Sequence, residues 1–125
     1  MGNAESKPLA TDTTRIVSIA VNVEEEKEEK NIPHIFSLSQ NYPNPFNPYT
    51  TIQYALPKAT WVKIDIYNLL GQKVKTLVDE YQLAGYKQVI WDSKNDKGQE
   101  VASGIYFYRI KAGDFTNAKK MVILK

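Results

Sequence analysis

Cysteine is absent from this sequence, and histidine occurs once, at position 34. The first absence excludes disulfide staples, thiolate metal sites and thiol nucleophiles. The second excludes clustered imidazole ligands. His34 is then the single histidine open to a catalytic triad, and no serine–aspartate company accompanies it. Long apolar runs are missing too. No stretch approaches the roughly 20 residues of a membrane-spanning helix. The opening Met-Gly-Asn-Ala-Glu carries no basic, apolar and small-residue leader. An excised domain would open the same way, so no compartment is read from it. Charge of one sign is scarce as well. Residues 1–30 hold four Lys/Arg against seven Asp/Glu and residues 31–125 hold twelve against seven, which together make the formal +2. Such an excess is too small and scattered for a nucleic-acid or membrane-surface footprint. Neither a catalytic residue nor a cofactor is expected.

What is present is short β-rich runs with turn chemistry between them. The 125 residues have room for one domain. Residues 1–13 are polar and patternless, expected to be disordered or foreign to the domain. Residues 14–23 are β-branched and alternate, which predicts a strand. The run Glu24–Lys30 follows, a charged and protease-sensitive linker without apolar residues. A boundary is expected here, with 31–125 as the domain and the strand before it either a relic of a preceding domain or an extra edge strand of this one. Beyond residue 36 the spacing predicts strands at 50–56, 61–67, 73–78, 86–91, 105–111 and 115–124, each bounded by Gly or Pro. No helix-period segment interrupts them. Short connections favour hairpins over parallel crossovers. The pattern is all-β, an antiparallel β-sandwich of six or seven strands. Val62, Ile64 and Ile66 share one face of their strand, with Lys63 and Asp65 on the other. Tyr54, Trp61, Trp91, Tyr106 and Tyr108 are expected to supply much of the buried area.

Four segments stand out. The first runs from Leu38 to Pro48 and reads LSQNYPNPFNP. Its three prolines stiffen the loop and push the residues before them toward extended conformations. Such a loop should cap one end of the sandwich, with Tyr42 and Phe46 plugging the core. Pro45-x-x-Pro48 also has the spacing of a polyproline ligand, but no basic residue adjoins it. The second segment, Ile66–Val74, looks like a strand, a glycine turn and a returning strand. The third runs from Trp91-Asp92 through Asn95-Asp96-Lys97-Gly98 to Ala102-Ser103-Gly104-Ile105-Tyr106. The fourth is Lys119-Lys120-Met121-Val122-Ile123-Leu124-Lys125.

In this order the segments resemble one family, the type A C-terminal sorting domain of the type IX secretion system. The resemblance is carried by Tyr42-Pro43-Asn44-Pro45-Phe46-Asn47-Pro48, Tyr67-x-x-Leu70-Gly71-x-x-Val74, Trp91-Asp92, Ala102 to Tyr108, and Lys119-Lys120-Met121. It implies an immunoglobulin-like sandwich of about seven strands, shared with the flagellar hook-capping protein. It also implies a non-catalytic tag on a larger cargo protein, exported through the periplasm to the cell surface or secreted. Implied partners are an N-terminal cargo domain, an outer-membrane translocon and a sortase-like surface protease. A monomer that binds no nucleic acid is expected. The implied sorting-motif residues are Pro43, Asn44, Pro45, Phe46, Gly71, Gly104, Tyr106, Lys119, Lys120 and Met121. A hook-cap-type structural domain is the alternative role on the same fold.

Other residues invite sharper readings. Asp92, Asp96 and Glu100 could be ligands of a calcium loop. Lys94 and Lys97 stand where such a loop needs an oxygen and a glycine, so a solvated hairpin loop is the plainer expectation. Asp79-Glu80 is adjacent rather than opposed and reads as a surface loop. Trp61, Tyr67, Tyr81 and Tyr86 would together make a sugar-stacking platform, the mark of an accessory carbohydrate-binding module. Cross-strand packing is the ordinary fate of aromatics in alternating strands.

Overall fold

The computed structural model describes residues 31–125. The expected disorder over 1–13 and the strand and linker over 14–30 lie outside the described residues. Seven strands follow one another: β1 (Ser37–Leu38), β2 (Thr50–Leu56), β3 (Thr60–Asn68), β4 (Lys73–Gln82), β5 (Gly85–Trp91), β6 (Gly104–Ala112) and β7 (Phe115–Ile123). They form a three-stranded sheet in the order β1-β2-β5 and a four-stranded sheet in the order β4-β3-β6-β7. Every strand pairing is antiparallel. The all-β sandwich expected from the turn spacing is therefore present.

Alternation in β3 decides which residues enter the core. Val62, Ile64 and Ile66 are fully buried. They meet Ile52, Tyr54 and Leu56 of β2, Tyr108 and Ile110 of β6, and Met121 and Ile123 of β7 in one cluster. Burying each such aliphatic side chain is worth about 1.5–3 kcal/mol. Tyr54, Trp91, Tyr106 and Tyr108 are buried as expected, but Trp61 is 57% exposed. Trp61 precedes inward-facing Val62, so the period of two turns its indole outward.

Three further expectations are corrected. Asp79 and Glu80 belong to strand β4, which continues to Gln82 because Lys63 and Val62 of β3 pair with them in register. The 92–103 segment is no hairpin loop, since β5 pairs with β2 while β6 pairs with β3 and β7. It carries the chain from one sheet to the other, as does the Leu83–Ala84 connection from β4 to β5. Tight hairpins join β3 to β4 and β6 to β7, while β1 returns to its antiparallel partner β2 through the long proline-rich loop. Tyr42 does not plug the core and is 79% exposed. Its N–H and C=O both pair with Thr51, which fixes the backbone and leaves the ring outside.

Asp65 faces outward yet is buried. Thr76 Oγ1 donates to its Oδ1 at 2.7 Å, and Lys63 Nζ lies 3.6 Å from its Oδ2. These partners hold the carboxylate against the sheet, satisfying a group that would be costly if left unpaired.

Candidate functional site

The proline-rich loop and the last strand, distant in sequence, form one structure. The backbone of Phe46 brackets β7: its N–H donates to Val122 O at 3.1 Å, and Leu124 N–H donates to Phe46 O at 3.0 Å. This parallel bridge, Phe46 to Ile123, adds a short strand to the otherwise open edge of the four-stranded sheet. Side chains reinforce it. Val122 N–H donates to Asn44 Oδ1 at 2.9 Å, and Gln40 Nε2 donates to Lys120 O at 2.6 Å. An unpaired sheet edge templates aggregation. Here the loop closes the C-terminal half of that edge.

Buried polar contacts hold the loop's shape. Asn41 Nδ2 donates to Thr50 Oγ1 at 2.9 Å and to Pro43 O at 3.2 Å, and the Thr50 hydroxyl donates to the same Pro43 oxygen. Asn41 and Thr50 are both buried, and among the described residues no buried side-chain polar atom lacks a partner. Tyr108 Oη donates to Ser39 O at 2.6 Å, fastening the loop's start to the core strand β6. Burial pushes that hydroxyl up to about 12, with the Asn41 backbone pulling it partly back.

Below the loop Phe46 enters the core. Its ring centroid lies 6.0 Å from that of Trp91, which lies 5.7 Å from Tyr106 in an edge-on contact. Trp91 Nε1 donates to Lys94 O, and Tyr106 Oη donates to Ala102 O. Each ring thus has its polar end satisfied and its body packed. Gly104 opens β6 at φ +152°, a conformation that disfavours side chains.

The implied motif residues therefore fall into two groups. Pro43, Asn44, Pro45, Phe46, Tyr106, Lys119, Lys120 and Met121 surround the loop–β7 junction. Phe46, Tyr106 and Met121 are buried there, while Pro43, Asn44, Pro45 and Lys120 are exposed and Lys119 is half-buried. Gly104 joins this group, pairing with Ile123 of β7. Gly71 stands apart, in the β3–β4 turn at φ +82°. Gln40, Asn41 and Thr50 were missed as contributors. Their polar side chains beside a proline-rich loop were the available signal.

The other sharp readings are scattered. Asp92 accepts from Lys94 N–H, Asp96 accepts from Thr76 N–H beside Lys75, and Glu100 meets Lys125 Nζ at 3.4 Å. The three carboxylates thus turn to separate partners. Among the described residues, no group of three or more His, Cys, Asp or Glu could hold a metal ion. His34 is exposed. Trp61 and Tyr81 are cross-strand partners on one outer face, with Trp61 Nε1 donating to Asp79 Oδ1 at 2.7 Å. Tyr67 is occupied by Arg109, whose guanidinium lies 5.3 Å over its ring, and Tyr86 belongs to the other sheet. The four aromatics do not form one platform.

Residues 40–124 match the family model described as the secretion system C-terminal sorting domain. No curated protein matches the sequence. Among solved structures, dimeric latent PorU from Porphyromonas gingivalis is similar over 74% of this chain and 10% of its own, with TM-score 0.57 and 19% identity. The hook-capping protein FlgD from Xanthomonas campestris is similar over 77% of this chain and 71% of its own, with TM-score 0.51 and 21% identity. PorZ, a surface component of the type-IX secretion system of P. gingivalis, covers 72% of this chain and 11% of its own at TM-score 0.49 and 18% identity. The likeness to PorU and FlgD is one of fold.

Proposed function

The chain belongs to the secretion system C-terminal sorting domain family, and we propose that residues 31–125 are a non-catalytic signal directing a larger cargo protein through the type IX secretion system to the cell surface. The observation that carries this reading is the family match over residues 40–124. That span begins in the proline-rich loop and ends one residue past the strand the loop covers. The exposed part of the junction, from Pro43 to Pro45 with Lys120 beside it, is the surface a translocon would read. It is rigid, because prolines fix its backbone and buried Asn41 fastens it from beneath. Rigid loops on a sandwich scaffold suit recognition. A sortase-like surface protease, acting upstream of residue 31, would then separate cargo from signal. The wholly structural role of a hook-cap domain gains no separate support, since the likeness to FlgD is one of fold.

The test is surface display of a reporter fused ahead of the full chain in a bacterium that carries the secretion system. Deleting residues 116–125 should abolish display. That deletion also removes β7, so Lys119→Ala/Lys120→Ala is tested beside it, with circular dichroism confirming the fold. Display should fall in the folded double variant. Normal display of the deletion fusion would refute the sorting role.

A further inference from the structure

Two turns of this domain are built alike. Asn68-Leu69-Leu70-Gly71-Gln72 joins β3 to β4, and Asn95-Asp96-Lys97-Gly98-Gln99 lies in the connection from β5 to β6. Both read Asn-x-x-Gly-Gln. In the first, Asn68 Oδ1 accepts from Leu70 N–H at 3.0 Å and Gln72 N–H at 2.9 Å. In the second, Asn95 Oδ1 accepts from Lys97 N–H and Gln99 N–H, both at 2.9 Å. Each asparagine carbonyl also accepts from the turn glycine, and each asparagine N–H donates to the glutamine carbonyl. The glycines match at φ +82° and +79°.

The turns stand side by side. Asp96 N–H donates to Val74 O at 3.1 Å and Thr76 N–H donates to Asp96 Oδ1 at 3.2 Å, so the second turn is docked on the edge of β4 just past the first. Between them lies a groove of about 540 Å³, within the usual size of a binding cleft. Its floor is apolar: half-buried Val74 and Val101, with buried Tyr106 beneath.

Hydrogen bonding fixes what the groove offers. Because each asparagine Oδ1 takes two backbone N–H groups, its Nδ2 must face the glutamine. Nδ2 of Asn68 donates to Gln72 Oε1 at 2.8 Å, and Nδ2 of Asn95 donates to Gln99 Oε1 at 3.2 Å. Both glutamine Nε2 groups are therefore turned away from the turn, and neither has a partner among the described residues. Lys73 and Lys97 line the same groove and form no ion pair among the described residues. Asp96 is its one lining carboxylate, and it is matched by Lys75 at 3.9 Å. The lining is rich in donors over an apolar floor.

We propose that this groove binds an extended acidic peptide segment of a partner. Backbone carbonyls of the peptide would accept from the Gln72 and Gln99 amides, its carboxylates would meet Lys73 and Lys97, and apolar side chains would rest on Val74 and Val101. A free phosphate would leave that floor bare. The groove shares buried Tyr106 with the core beneath the loop–β7 junction, but its exposed lining comes from the two turns and the proposal does not depend on the sorting role.

The experiment measures fluorescence anisotropy of a labelled octapeptide of alternating glutamate and valine titrated with the full chain. Saturable binding is expected, weakening as salt rises. Gln72→Glu/Gln99→Glu keeps the oxygen that each asparagine needs while removing the outward N–H donors and adding charge. Its affinity should drop by about tenfold or more, equivalent to about 1.4 kcal/mol, with unchanged melting. If that variant unfolds, Lys73→Ala/Lys97→Ala provides the same reading from side chains that form no ion pair among the described residues. No saturation at millimolar protein, equal binding of a lysine–valine octapeptide, or unchanged affinity in the folded variants overturns the proposal. Preferential binding of a sulfated heparin oligosaccharide also overturns it, in favour of an anionic saccharide site.

Discussion

Gly104 and Tyr108 both lie in β6, and each makes a separate demand on the backbone around it. At Gly104 a Cβ would meet no atom within 4 Å, yet φ is +152°. The cost of a side chain there is thus conformational rather than steric crowding by neighbours. Gly104→Val should lose more than about 1 kcal/mol of stability in urea unfolding, and Gly104→Ala most of the same amount. An unchanged midpoint for both would show an ordinary backbone. Tyr108 makes a pH-dependent contribution. Burial holds its hydroxyl at about 12, against about 10 in the unfolded chain. The folded state therefore keeps its proton longer. The associated stability is complete below pH 10 and is lost as pH rises toward 12, by up to about 3 kcal/mol. Chemical unfolding across pH 8–12 should show that decline, and Tyr108→Phe should flatten it. Tyr54 and Tyr106, also raised by burial, would account for the remainder. A decline equally steep in Tyr108→Phe would remove Tyr108 as its source.

Among the elements, β7 depends most on a partner far away in sequence. Asn44→Ala removes the acceptor of Val122 N–H and should cost about 1 kcal/mol. Amide exchange at Val122 should accelerate, while the amides of β3, inside the same sheet, keep their protection. Unaltered exchange at Val122 would mean that the side-chain contact does not hold the edge. The strands themselves were legible because β-branched and aromatic residues alternate between glycines and prolines. Trp61 was expected in the core, although inward Val62 beside it already implied the outward indole. The sheet assignments were not legible. Nothing local distinguishes the β3–β4 hairpin from the β4–β5 crossing, since both join strands through a few turn residues. Long-range pairing decides between them. Asp79 and Glu80 looked like loop residues for a related reason: an edge strand tolerates adjacent charges on its alternating faces, as Lys63 opposite Asp79 shows.

For the domain as a whole, the order of the segments was informative even though none of them was sufficient alone. The proline-rich loop and the Lys119-Lys120-Met121 run were visible in the sequence, but that one covers the other appears only when Phe46 is seen between Val122 and Leu124. The repeated Asn-x-x-Gly-Gln was equally visible and carried no meaning until the two turns stood side by side. The loop–β7 junction also has a consequence in time. Asn44 and Val122 are 78 residues apart. At roughly 5–20 residues per second of synthesis, the loop emerges several seconds before the strand that completes it. During that interval the loop has no β7 to cover, and a polypeptide broken off early never acquires one. Any receptor that requires both halves is thereby blind to chains that stop short of β7, so the fold itself reports that synthesis has passed that strand.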